Sequence, residues 1–282
     1  MTKELGNTGL LVIELMKTIK KYFKMYFLLV KYAAAADLTY WQNLSIGLLV
    51  EIFYQVAFLA FFAVIFFQTK SIAGWGPFEI IVLLGIDTFT SELLVGMILV
   101  NNTRELPNKI WSGELDRNLL TPVNPIFILT FGRPYFPSFI SALPGFFLIW
   151  YGLVKLGVRL TVIGLAGSML FFILGFILIV NMVLDFSLLT FFFQDTQTLP
   201  KIGERIAFSF TSRPDDMFGG FLKVLFFFLL PVVYVSSFSA KALITGIDWK
   251  YLCLAVLLTL ISLIFTKWLW QKAIKNYSSA SS

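Results

Sequence analysis

The stretch "LSIGLLVEIFYQVAFLAFFAVIFF", Leu44 to Phe67, carries a single charge, Glu51, in a run of Phe, Leu, Ile, Val and Ala. A helix needs about 20 mostly apolar residues to cross a bilayer, and this run meets that length. Comparable runs lie near Phe78–Val100, Tyr135–Val154, Leu160–Phe193 and Tyr251–Trp270. The whole chain agrees with them. Of its 282 residues 58% are hydrophobic and 13% are charged, with mean hydropathy +0.84. A soluble domain is about a quarter charged, and a soluble fold of this composition would expose apolar patches of a size such proteins avoid. The expectation is an all-α polytopic membrane protein with about six transmembrane helices.

What lies between the runs sets the orientation. Lys17, Lys20, Lys21, Lys24 and Lys31 recur at helical spacing, with Leu15, Ile19, Phe23, Phe27 and Val30 able to occupy another face. That is the pattern of an amphipathic helix lying on a membrane, its lysines meeting anionic lipid headgroups. The segment lacks the order of a cleavable signal. Basic residues at both ends, Lys17–Lys31 and Lys267–Lys275, place both termini in the cytoplasm of a multi-pass protein of the plasma (inner) membrane. The net charge of +6 fits the same rule, and with no basic cluster on a soluble fold, nucleic acid is not expected as a partner. The chain divides into an N-terminal helical region at 1–43, a transmembrane domain at 44–277 with a charged loop at 101–133, and a Ser-rich tail at 278–282.

Gln194–Lys250 admits two topologies. Either Phe221–Phe238 is the fifth span and "TLPKIGERIAFSFTSRP" a cytoplasmic loop, or that semi-polar piece is a shielded fifth span. In the second case the Pro231 segment is re-entrant, dipping into the outer leaflet before the last span; irregular backbone at that depth is tolerated where protein buries it.

The charged loop contains "KIWSGELDRNLLTPVNP", Lys109–Pro125. Ser112 can cap a short helix, Glu114 and Asp116 suit its first turn, and Pro122 ends it. Leu115, Leu119 and Leu120 form an apolar edge beside Arg117. Such a helix can dock into a groove on a partner or rest on the membrane.

Acids inside the spans are the clue to cargo. Glu51, Asp87, Glu92 and Asp185 each sit in an apolar run, where a charge costs roughly 2.5–3.5 kcal/mol on insertion scales and by default marks a functional path. At ~1.5 Å per residue, Glu51 and Glu92 come to similar depth on neighbouring antiparallel helices. The bland alternative is a protonated acid bonded to Gln55, Thr88 or Asn181. Acids beside 32 Phe and 10 Tyr favour an amphipathic or cationic cargo over a polyanionic one. The chemistry of an enzyme is largely missing. There is no histidine, the commonest general base and metal ligand, and one cysteine, Cys253. No metal site and no bound cofactor are expected. No Gly-x-x-x-x-Gly-Lys-Ser/Thr occurs, so a phosphate loop must come from another chain if ATP is used.

"IWSGELDRNLLTPVNP" resembles the segment between the second and third spans of ABC-2 type exporter permeases, through Ile110, Gly113, Leu115, Asp116, Leu119 or Leu120, and Pro122. "IAGWGPFEIIVLLG", with Gly74, Trp75 and Glu79, resembles the first outer turn of one ABC-2 subfamily. "FFFQD", "TSRP" and "FFLLPVVYVSSFSAKAL" resemble, in order, the end of its fourth span, the end of its fifth and its proline-broken outer segment. The resemblance implies a permease subunit without its own ATPase, paired with a second copy or paralogue, and bound to ABC ATPase subunits that hold ATP and Mg. It implies that Ile110, Gly113, Glu114, Leu115, Asp116, Arg117, Leu119, Leu120 and Pro122 form a coupling helix, that the N-terminal helix is a connecting helix, and that the re-entrant topology holds. The polar residues Lys201, Glu204 and Arg205 then fall in or near the fifth span, a departure from the pattern. The implied function is ATP-driven export of an amphipathic or cationic small molecule, drug, peptide or lipid. An ATP-independent secondary transporter or channel is the main alternative.

Overall fold

The computed structural model describes residues 2–193 and 198–277. Gln194 and Asp195 of the "FFFQD" motif and the Ser-rich tail lie outside them. The described residues are helical with no strand. Helix α1 (Thr2–Thr39) breaks at Tyr40, and α2 (Trp41–Gln68) follows. The turn at 69–76 is closed by a backbone pair between Ile72 and Trp75, with Ala73 and Gly74 at φ 51° and 87°. Helix α3 (Pro77–Leu94) starts where its sequence invites it, with Pro77 at the first position and the Gly76 amide donating to Glu79 Oε2 at 2.6 Å. It runs without a break through a π-helical segment, Val95–Glu105, into α4 (Leu106–Ser112). The second apolar run therefore continues as helix past Val100 into the charged loop. Gly113 ends it at φ 76°.

The loop then folds into α5 (Leu115–Leu119) and α6 (Pro125–Phe131), the latter capped by Asn124 Oδ1 on the Ile126 amide at 3.0 Å. Helices α7 (Phe136–Ser141) and α8 (Leu143–Leu156) form the third crossing. Helix α9 (Val162–Leu188) is capped by Thr161 and tightens into a 3₁₀ turn, Leu189–Phe191. After α10 (Thr198–Thr211), the chain makes α11 (Gly220–Val224), a break at Pro231 and α12 (Ser239–Ile244). The two limbs around Pro231 meet at 81°; proline removes the amide that would continue the helix. Helix α13 (Trp249–Asn276) closes the chain, capped by Asp248 on the Lys250 amide.

Among the described residues five helices are long and apolar enough to cross a membrane, and the bent pair is a broken span or a re-entrant loop by length and composition. Packing decides for the re-entrant form. Helix α10 begins beside the loop end of α9, where Gly203 abuts Phe186. It finishes beside Ser236, whose hydroxyl donates to the Thr211 carbonyl. The next turn, Asp215–Met217, bonds to Trp75 in the turn between α2 and α3. Helix α10 thus runs from the end of the molecule that holds the charged loop to the opposite end. Both limbs of the Pro231 segment start and return there.

Most crossings are partly exposed to lipid, and α2 buries no residue at all within the chain. The tightest contact joins α3 to α8. A Cβ on Gly85 would lie 2.7 Å from the Gly145 carbonyl oxygen, and one on Gly145 2.6 Å from the Gly85 carbonyl oxygen. Small residues that let helix backbones touch are the usual adhesive within a bilayer. Gly145→Val is expected to separate the pair and cost more than the ~1–3 kcal/mol of ordinary overpacking, because backbone rather than a flexible side chain must yield. The thermal midpoint of the purified protein measures this; a midpoint equal to the native one would show the contact to be dispensable.

Candidate functional site

Three of the four in-span acids meet. Glu51 on α2 and Asp87 and Glu92 on α3 line one cavity of about 570 Å³ with Tyr54, Gln55, Thr88 and Ser91. The far wall is the end of α10, through Phe208 and Ser209, and the turn after it, through Ser212 and Arg213. The volume is in the range of small-molecule pockets. Asp87 is 8% exposed and one of its oxygens, Oδ1, has no hydrogen-bond partner. Glu51 and Glu92 also share a second, more apolar recess with Ile140, Pro144 and Phe147. The polar neighbours bond to one another: Thr88 donates to Gln55 Oε1 at 3.2 Å, and Asn181 to Ser262 Oγ at 3.0 Å.

Asp185 does not join this group. It lines a separate, mostly apolar cavity of about 480 Å³ with Met182, the tip Leu229–Pro231 and α13 residues including Ser262. Depth along a helix does not fix the direction a side chain faces, and α9 turns Asp185 toward α13, beside Thr266.

The polar fifth helix has two distinct faces in this arrangement. Pro200, Gly203, Ala207 and Thr211 recur at helical spacing and are buried, with α9 as the packing partner. Glu204 and Phe208, four residues apart, lie on another face. Glu204 lines a cavity of about 750 Å³ at the charged-loop end, with Asp37, Thr103, Glu105, Arg133 and Tyr135. Arg133 there is paired to Glu105 at 2.5 Å. Val95 borders both this cavity and the central one, so one face of α10 lines the way from the loop end to the in-span acids. Of the polar residues that depart from the family pattern, Glu204 lines this cavity, while Lys201 and Arg205 are exposed.

The opposite end is pinned. Lys241 Nζ lies 2.7 Å from Asp215 Oδ2 and 2.8 Å from Asp216 Oδ2. Trp75 Nε1 donates to Asp216 Oδ2 at 3.0 Å, and Ser237 Oγ donates to Asp215 Oδ1 at 2.5 Å. The ammonium also sits 5.7 Å from the Trp75 and Phe238 ring centres. One cluster ties the α2–α3 turn, the end of α10 and the returning limb of the Pro231 segment. Partial burial raises the Asp216 carboxyl's pKa, but hydrogen bonds from Lys241 and Trp75 and the charges of Lys241 and Lys223 outweigh it and hold the carboxyl below the ordinary carboxylate value.

At the charged-loop end the expected short helix is α5, with Asp116 in its first turn and its end before Pro122, and it lies between α4 and α6. Ser112 does not cap α5: it ends α4, its hydroxyl accepting from the Glu114 amide at 3.4 Å, and Glu114 is the residue before α5. The left-handed Gly113 separates the two helices, which a continuous pattern could not show. The apolar edge also splits. Leu115 is fully buried with Leu106, Leu184, Leu188 and Leu269, and Ile110 and Leu119 pack on that cluster. Leu120 is 87% exposed, and Glu114, Arg117 and Pro122 are exposed with it. Asp116 is close to Tyr277 after α13; burial first, then the Asp116 charge, raises that phenol's pKa.

In α1, Lys17, Lys20, Lys21, Lys24 and Lys31 are all exposed, as are Phe23 and Phe27. The face that packs inward is the tyrosine pair. Tyr22 packs at 4.7 Å, tilted, on Phe127 and its hydroxyl accepts from the Asn124 amide, while Tyr26 meets Phe131 edge-on. Their four-residue spacing was the available signal. Among the described residues no group of His, Cys, Asp or Glu could hold a metal ion.

No curated protein and no solved structure matches the chain. A family model, ABC-2 family transporter protein, matches residues 52–281, a range that takes in the α2–α3 turn, the acid-lined cavity apart from Val50 and Glu51, the charged loop and the re-entrant limbs. The chain belongs to the ABC-2 family of transporter proteins and is the multi-pass membrane permease of an ABC transporter, a family whose permeases associate with ABC ATPase subunits.

Proposed function

We propose that this permease exports an amphipathic small molecule bearing a positive charge, by alternating access driven by a separate ATPase that binds ATP and Mg. The observation that carries this reading is the meeting of Glu51, Asp87 and Glu92 in one cavity, with Glu204 further toward the charged loop and the ion cluster pinning the opposite end. Both termini and the charged loop are cytoplasmic, in the inner membrane, and the five lysines of α1 rest on anionic lipid. Cargo enters from the loop end. ATP-driven closure of two ATPase subunits pushes on Glu114, Arg117, Leu120 and Pro122, while Ile110, Leu115 and Leu119 carry that push into α9 and α13. A second permease, identical or paralogous, completes the open side of the cavity, where α2 buries no residue within the chain.

The test is ATP-driven uptake of a lipophilic cation into inside-out proteoliposomes holding the permease and its ATPase. Glu92→Gln is expected to raise KM about tenfold, the cost of about 1.4 kcal/mol of lost charge pairing. Uptake that needs no ATPase would make the chain a secondary transporter, and an unchanged KM would remove the acids from the path.

A further inference from the structure

We propose that the central cavity selects zwitterionic cargo, with the cationic group held by Glu51, Asp87 and Glu92 and an oxyanion held by Arg213. This rests on the cavity reading above and narrows its substrate class. Arg213 lines the same cavity as the three acids, two residues beyond the end of α10. Among the described residues it forms no ion pair; its recorded neighbour is the Phe210 ring, 5.3 Å away. Asp87 answers from the opposite wall. It is more than nine-tenths buried, and its Oδ1 is unpartnered. The cavity is therefore lined by a cation without an ion pair, just past the end of α10, and by an acid with an unpartnered oxygen on α3.

Arginine keeps its charge at any physiological pH, and its planar fork matches a carboxylate with two parallel bonds. Arg213 is exposed, so its guanidinium is hydrated before cargo binds and a cation alone gains nothing from it. An anion alone would face three carboxyl groups. A molecule with both charges satisfies both walls. Ser209 on α10 and Ser212 just after it supply hydroxyls beside the anionic end. The order along the axis follows from the helices. Glu92 lies toward the charged loop and Asp87 deeper, beside Thr211, with Arg213 beyond it. The cargo lies with its ammonium toward the charged loop and its oxyanion toward the pinned end.

The experiment compares two probes of one skeleton, an arylalkyl trimethylammonium and its ring-carboxylated analogue, in proteoliposomes with the ATPase. The native permease is expected to show a KM about tenfold or more lower for the zwitterion. Arg213→Gln should erase that preference, and Arg213→Lys should restore part of it. Direct binding of both probes to the purified variants gives the same ratio independently of ATPase assembly. A native preference for the monocation, or an Arg213→Gln variant that weakens both probes alike, would overturn the proposal. Glu92→Gln separates the two levels. If it weakens both probes while Arg213→Gln does not discriminate, only the zwitterion proposal fails; if it changes neither, the cavity reading fails as well.

Discussion

Leu120→Asp, alone or with Arg117→Glu, is expected to weaken the permease's grip on its ATPase about thirtyfold or more while leaving the permease folded. Leu120 is 87% exposed at the end of α5, in a loop whose other leucines are buried. A lone apolar side chain beside an arginine at the tip of a rigid element is the composition of an interface anchor, whose loss costs about 2 kcal/mol or more. Leu115→Ala makes the contrast. Leu115 is fully buried against Leu106 and Leu269, so its truncation is expected to cost about 2–5 kcal/mol of local stability and to blur the loop. Titrating purified ATPase against each variant gives the affinities, and the thermal midpoint gives the fold. If Leu120→Asp binds as tightly as the native chain, the partner surface lies elsewhere on the loop end. The sequence places Leu115, Leu119 and Leu120 on one apolar edge; the structure assigns the first two to holding the loop and the third to presenting it.

Local and periodic features of this fold were readable before any coordinates. The run Leu44–Phe67 becomes α2 at Trp41–Gln68 because composition alone specifies a span. The depth match of Glu51 and Glu92 follows from helical rise, and both line one cavity. Azimuth was not readable, so Asp185 was grouped with acids it does not meet. Helix α10 is the instructive middle case. Its 14 residues reach about 21 Å, and its polar residues argue against a span when counted. Read by face, the small residues Gly203, Ala207 and Thr211 mark the packed side, and Glu204 and Phe208 the side that lines the cavities. The α1 tyrosines were hidden by the louder lysine pattern around them. The ion cluster was out of reach altogether: Trp75 and Asp216 are 141 positions apart, and nothing local ties a tryptophan in a turn to a carboxylate after α10.

At that cluster a large and local loss of stability is expected. Lys241→Met removes the shared cation of two carboxylates, one of which, Asp215, has a side chain only 6% exposed. Breaking a buried pair from one side costs about 3–5 kcal/mol, because the remaining charge keeps its desolvation without its partner. The value here belongs at the lower end, since the Lys241 side chain is 30% exposed. The loss is local to the pinned end: the α2–α3 turn, the end of α10 and the returning limb come apart, while the α3–α8 contact at Gly85 and Gly145 stays. Hydrogen exchange is expected to rise at 72–76 and 212–219 and not at 143–153. Lys241→Arg keeps a charge but not the compact geometry that brings one nitrogen to both Asp215 and Asp216, so it should recover only part of the stability. Acid acts in the same direction. The Asp216 carboxyl is held below its ordinary value, so its contribution is fully present above the unfolded carboxylate pKa of about 4 and fades as pH falls through the lowered folded value. In Lys241→Met that acid-dependent part should be reduced. Exchange that rises uniformly over the chain would show instead that the cluster supports the whole fold, and its role as a separable pin at one end of the path would be lost.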